Sequence, residues 1–184
     1  EIGKRKLFAV GHDEVHSLPQ NINVNSVRFW MGFSEHYINV FTVLKSLGLI
    51  SNLPIDVDGI DVAPLRLIKK LLPDPSSLAK DYVGKACIGT FIKGLKDNKH
   101  ISYFIYSMFD HEDTYAEIGE QAVSYSTAIP LITAVSLFFS GHWNPKKMVN
   151  IEQLDPVPFL NALPTYGVEW KCIEWSEKNF NENI

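Results

Sequence analysis

The run GHDEVHSLPQ (11–20) brings His12, Asp13, Glu14 and His16 close together near the start of the chain. On a helix His12 and His16 share a face at i, i+4, the spacing by which two imidazoles can grip zinc. The order here is H-D-E-V-H, so Glu14 stands third and the HExxH string is not formed. A solvated helix start is the better reading. A second polar string, Asp110-His111-Glu112-Asp113, falls where a strand passes into a helix. There His111 suits proton transfer near neutral pH and Asp110 suits an ammonium group. The same acids suit a helix N-terminal cap. One histidine among adjacent acids makes a poor metal site, and no metal is expected. Arg28, in VNSVRFWMGF (24–33), offers a planar guanidinium that can hold a carboxylate bidentately, or else pair with a nearby acid. Glu35 begins a helix after Ser34, and Ser126 and Thr127 precede an apolar run; each is a ligand contact or a cap.

These residues need elements to carry them. VNSVRFWMGF reads as a strand, followed by a helix capped by Ser34 and stopped at Gly48. PIDVDGIDVAP (54–64) is a hairpin turning at Asp58-Gly59, and Pro64 opens a helix ended by the following PDP. Residues 84–110 form a long hairpin around Asp97-Asn98-Lys99, with Gly84, Gly89 and Gly94 read as kinks or bulges. A helical pattern runs from Glu112, Pro130 starts an apolar helix, and Gly141 ends it. MVNIE (148–152) reads as a strand, followed by a helix with Asp155 as cap, Pro156 first and Gly167 as stop. Strands and helices without a βαβ rhythm predict an α+β fold: a mixed or antiparallel sheet with helices on one face.

Composition narrows the function. Of 184 residues 46% are hydrophobic, enough for the core of one domain, and the net charge of −4 with no basic stripe argues against nucleic acid. Neither GxGxxG nor GxxxxGK[ST] occurs, so this chain carries no phosphate loop. Cys87 and Cys172 form no ligand-spaced pair, and a reducing, cytoplasmic compartment is expected. The apolar stretch 128–140 falls well short of the roughly 20 residues of a membrane span, which predicts a buried helix and no membrane. The opening lacks a signal peptide and an initiator methionine, so a domain of a longer protein is expected.

Several strings go further. RFWMGFSEHY (28–37), LKSLGLIS (45–52), LIKKLLPDPSSL (67–78), the GK..IG....G.KD.K frame of 84–99, DHEDTYAEIGEQAVSYSTAIP (110–130) and NIEQLDPVPFLNALPTYGVEW (150–170) follow one another in order. Together they resemble the carboxynorspermidine dehydrogenase branch of the saccharopine dehydrogenase-like oxidoreductases. The resemblance implies that residues 1–184 are the substrate-binding and dimerisation domain of such an enzyme. Residues 112–184 would include the segment returning toward an N-terminal Rossmann domain, which would hold NADPH.

The implied reaction is reductive condensation of aspartate semialdehyde with diaminopropane or putrescine, giving carboxynorspermidine or carboxyspermidine for polyamine synthesis. A homodimer is implied too. Under it, Arg28 would hold the semialdehyde carboxylate, Asp110 and His111 would act at the amine, and Glu35, Ser126 and Thr127 would contact substrate. The HDEVH run would at most support polyamine binding. The chain departs from the family at Phe109, Ala128 and Val157, and carries Ala86-Cys87 where Thr-Asn is usual. A saccharopine reductase of lysine metabolism, or a non-catalytic dimerisation lobe, are the competing readings.

Overall fold

A computed structural model describes residues 2–175. In chain order the strands and α-helices are β1 (Leu7–Val10), α1 (Asp13–Asn21), β2 (Phe29–Gly32), α2 (Glu35–Ser46), β3 (Ile55–Val57), β4 (Ile60–Val62), α3 (Pro64–Leu71), β5 (Lys85–Lys96), β6 (Lys99–Asp110), α4 (His111–Ile118), α5 (Ala122–Phe139), α6 (Pro156–Ala162) and β7 (Lys171–Glu174). The expected α+β class is present, but the sheet is divided. Among the described residues, β1-β2, β3-β4 and β5-β6-β7 are separate sheets, each antiparallel. The chain divides into two compact units.

One unit comprises Arg5–Gly11 and Arg28–Leu78. In it Leu7 pairs with Gly32 and Val10 with Phe29, and the intervening α1 belongs to the other unit. Ser34 Oγ accepts the Tyr37 N–H at 3.1 Å, so α2 starts as its sequence predicts. Spacing of four residues stacks Phe33 on Tyr37 (5.0 Å between centroids) and Tyr37 on Phe41 (6.1 Å), with Phe8 of β1 tilted against Phe33 at 6.0 Å. Contacts of this kind contribute about 0.5–1.5 kcal/mol each beyond burial, and they fix α2 on the β1-β2 ribbon. Asp58 and Gly59 both adopt positive φ (54° and 83°), the turn that a two-residue hairpin loop requires.

The other unit is built on the β5-β6 hairpin. Its register is unbroken from Lys85↔Asp110 to Lys96↔Lys99, closing through Asp97 and Asn98 at φ 52° and 62°. Of the expected kinks or bulges, no bulge interrupts this register, and Gly84, at φ 112°, turns the chain just before β5. Gly89 is instead a close approach: a Cβ there would lie 2.6 Å from the Ile105 carbonyl oxygen and from Tyr106 Cβ. Gly94 has no such neighbour. The short β7, which the sequence reading did not anticipate, pairs with β6 from Tyr103↔Glu174 to Tyr106↔Lys171.

Helices cover one end of this hairpin. Phe109, Ala122, Tyr125, Leu163 and Val168 form the core, with Ala86, Ile129, Phe159, Leu160 and Trp170 packed against it. Phe109 and Ala86 are cross-strand partners, so the large side chain occupies space that the small one leaves. Trp143 is buried, donates Nε1–H to the Asp155 carbonyl at 2.9 Å and stacks on Phe159 at 5.7 Å. MVNIE is not a strand. Asn150 caps a 3-10 turn over Ile151–Gln153, satisfied by Gln153 and lacking a strand partner.

Two helix boundaries also differ from expectation. The pattern from Glu112 breaks at Gly119, whose φ of 73° ends α4, and α5 then runs through Pro130 instead of starting there. Pro130 has no N–H, so the Ser126 carbonyl loses its helical partner. Packing of Ala122 and Tyr125 before it, and of Thr133 and Leu137 after it, keeps the helix continuous. The result is an apolar helix of 18 residues with mean hydropathy 1.6, long and apolar enough to cross a membrane. Its buried residues form one stripe, as in a helix packed on a core, while Leu131 and Val135 lie exposed on the opposite side and Phe139 is exposed at the end of the helix. The helix is thus only half-packed, against the expectation of full burial.

Candidate functional site

The first unit contains an open concavity of about 300 Å³, lined by Lys6, Phe8, Phe33, Glu35, Ile38 and Asn39. Strand alternation puts Lys6 and Phe8 on one side of the ribbon, and helical spacing puts Glu35, Ile38 and Asn39 on one face of α2. The Lys6 ammonium lies over the Phe8 ring, 5.5 Å from its centroid. Of the residues expected to bind substrate, only Glu35 lines this concavity. Lys6, Phe8 and Asn39 were missed, because Lys6 reads as part of a short basic run and β1 carries no motif.

Arg28 is exposed and directly precedes β2 instead of lying within it. No carboxylate of the described residues forms an ion pair with it. Its position opposite the end of β1 leaves roughly 16 Å of extended chain to Phe33. Arg28 and Glu35 share a unit without sharing the concavity.

Asp110 and His111 belong to the other unit. Asp110 caps α4: Oδ1 accepts the N–H groups of Glu112 (3.0 Å) and Asp113 (3.3 Å), while Oδ2 faces Lys85 Nζ at 3.4 Å. Those backbone hydrogen bonds, with that of Asp113 foremost, hold its carboxyl below the usual carboxylate range. Both oxygens are committed to structure. The cap, offered above as the alternative to an amine site, accounts for its geometry.

His111 is 5% exposed, and its Nδ1 accepts the Ala122 N–H at 3.2 Å, so the ring caps the start of α5. Tyr82 stands edge-on at 4.6 Å. Burial pushes the imidazole pKa down, and the Asp110 charge only partly opposes it. Proton shuttling through Nδ1 would break the cap.

Ser126 and Thr127 sit inside α5 and not before it. Both hydroxyls donate to the Val123 carbonyl, at 3.1 and 2.8 Å, which leaves their lone pairs as the only bonding capacity toward a ligand. His12 is the N-cap residue of α1 and bonds Glu14; the stretch is the start of an exposed helix. Among the described residues, no three His, Cys, Asp or Glu side chains converge as a metal site. Phe109 lies in the core and Val157 is exposed; neither they nor Ala128 line the concavity.

A dinucleotide does not fit the described residues. They contain no parallel strand pair and no glycine fingerprint leading from a strand into a helix. The described residues form an antiparallel α+β architecture, which is not the parallel sheet of a dinucleotide-binding fold. The family model for the saccharopine dehydrogenase C-terminal domain matches residues 1–168, and the chain belongs to that family. It is 47% identical over 173 residues to the carboxynorspermidine synthase of Vibrio alginolyticus, covering 94% of this chain and 42% of that protein. Identity to the carboxynorspermidine synthase of Vibrio cholerae serotype O1 is 44%, with the same coverage. A carboxyaminopropylagmatine dehydrogenase of Synechocystis sp. is 39% identical, over 92% of this chain and 43% of that protein. The chain thus spans less than half the length of these relatives.

Proposed function

We propose that this chain is the substrate-binding domain of a longer, NADPH-dependent oxidoreductase of polyamine biosynthesis. The observation that carries the reading is the 47% identity over 94% of the chain to a carboxynorspermidine synthase. The longer enzyme condenses aspartate semialdehyde with diaminopropane or putrescine and reduces the resulting imine. NADPH is held by residues outside those described here. The carboxyaminopropylagmatine dehydrogenase relative supports agmatine as a third candidate amine.

The work of this chain is binding. Holding two reactants at attack geometry can supply about 7–11 kcal/mol of a barrier. Arg28, exposed and without an ion pair among the described residues, provides a guanidinium for a carboxylate. Glu35 provides a carboxylate for an ammonium group. The exposed, unpaired thiols Cys87 and Cys172 accord with a cytoplasmic setting. A homodimer covering the open apolar side of α5 completes the reading, since a helix apolar all round is normally buried.

Mass spectrometry of the reaction tests it. The longer enzyme, given aspartate semialdehyde, diaminopropane and NADPH, is expected to form carboxynorspermidine. Unreacted aldehyde with diaminopropane, putrescine and agmatine alike, after prolonged incubation with excess NADPH, would contradict the reading.

A further inference from the structure

Lys6 and Glu35 present opposite charges to one concavity of about 300 Å³ without forming an ion pair with each other. That volume is at the lower end of small-molecule sites, about 300–1,000 Å³. The Lys6 ammonium rests over the Phe8 ring, and Phe8 contacts Phe33, so one wall is aromatic and the cation is held to one side. No hydrogen bond among the described residues occupies the Glu35 carboxylate or the Asn39 amide. Opposite charges on the wall of one small concavity, beside Phe8, Phe33 and Ile38, suit a small ligand that carries both charges.

We propose that this concavity is a binding site for the zwitterionic end of an α-amino acid with a short, uncharged side chain. Lys6 takes the α-carboxylate, Glu35 the α-ammonium, and Asn39 hydrogen-bonds either group. Phe8, Phe33 and Ile38 flank the side chain. A diamine fits poorly, because the Lys6 charge repels its second ammonium. The assignment rests on the function proposed above for identifying that amino acid with the semialdehyde reactant. It gives the carboxylate to Lys6, where sequence reasoning chose Arg28.

L-Homoserine, a stable four-carbon amino acid, is the probe, titrated into the isotopically labelled longer enzyme and followed by amide NMR. Shifts at residues 6–8 and 33–39 are expected, with n-butylamine, butyrate and putrescine each at least about tenfold weaker, because each lacks a partner for one charge. Lys6→Met and Glu35→Gln should each weaken homoserine by at least about tenfold while shifts elsewhere stay in place. The charge-exchanged pair Lys6→Glu with Glu35→Lys should recover part of the binding. Equal binding of butylamine and homoserine would overturn the assignment, as would shifts confined to other residues or no shifts at all. Homoserine binding here, in an enzyme that fails to form carboxynorspermidine, would support the pocket and remove only the polyamine reading. Carboxynorspermidine formation without homoserine binding here would do the reverse.

Discussion

The ring of His111 accepts the backbone N–H of Ala122 at 3.2 Å, joining the start of α4 to the start of α5 through one nitrogen. Only the form with Nδ1 unprotonated can do this, and burial favours that form. The folded-state pKa is depressed, so as pH falls through about 6.5 the unfolded chain takes up a proton first. The contribution is complete above that value and is lost below it. Urea unfolding midpoints should therefore fall between pH 7.5 and 5.5. His111→Gln should flatten this slope and cost about 1–3 kcal/mol by leaving the Ala122 N–H poorly satisfied. A slope unchanged in the variant would remove the histidine from the account. Asp110, also depressed, adds a loss of the same sign at pH values nearer 4.

Phe109 and Ala86 make a second stability prediction. Phe109 is 8% exposed and faces Ala86 across the hairpin. Phe109→Ala should cost about 3–5 kcal/mol, and Ala86→Leu about 1–3 kcal/mol by overpacking the same space. Chemical denaturation of each variant measures both. A neutral Ala86→Leu would show that the space beside Phe109 is not full.

The open side of α5 predicts association. Leu131, opposite the buried stripe, is 66% exposed, and Phe139, at the end of the helix, is 90% exposed. Replacing both with glutamate should shift light-scattering mass from dimer toward monomer without changing helical content by circular dichroism. A dimer of undiminished mass would place the interface elsewhere.

Arg28 and Lys6 are separated by kinetics. In the longer enzyme, Lys6→Met should raise KM for the semialdehyde and Arg28→Ala should change it far less, whereas a rise worth about 1.5–3 kcal/mol in Arg28→Ala would return the carboxylate to Arg28. Kinetics unchanged in Arg28→Ala would leave carboxylate recognition to Lys6.

Much of the fold was legible because local signals decided it. Ser34, Asp155, Pro64, Asp58-Gly59 and Gly141 act through their own backbone and nearest neighbours, and the elements they bound are in place. Elements decided by distant packing were not legible. Pro130 looked like a helix start because its effect on the backbone is local, whereas the packing that overrides it comes from the residues around Tyr125 and Leu137. β1 and β7 are four-residue strands defined by their partners, and Gly89 is small because of Ile105 and Tyr106 on the next strand. The candidate site divides in the same way. Glu35 was identifiable at a helix start, but Lys6 becomes a candidate only once β1 lies beside α2. Asp110 and His111 were visible as a polar string, and only their hydrogen bonds show that they hold helix ends.

Under the proposed function, this chain binds the substrates of a polyamine-forming reductase. Steady-state turnover of the longer enzyme tests it most directly, with aspartate semialdehyde fixed and the amine varied among diaminopropane, putrescine, agmatine and glutamate. The account predicts that kcat/KM for one of the three polyamine precursors exceeds that for glutamate by roughly 100-fold or more, a difference of about 2.7 kcal/mol. Equal use of glutamate, or a preference for it, would contradict the account, and saccharopine formed from glutamate and aminoadipate semialdehyde would identify a saccharopine-forming enzyme.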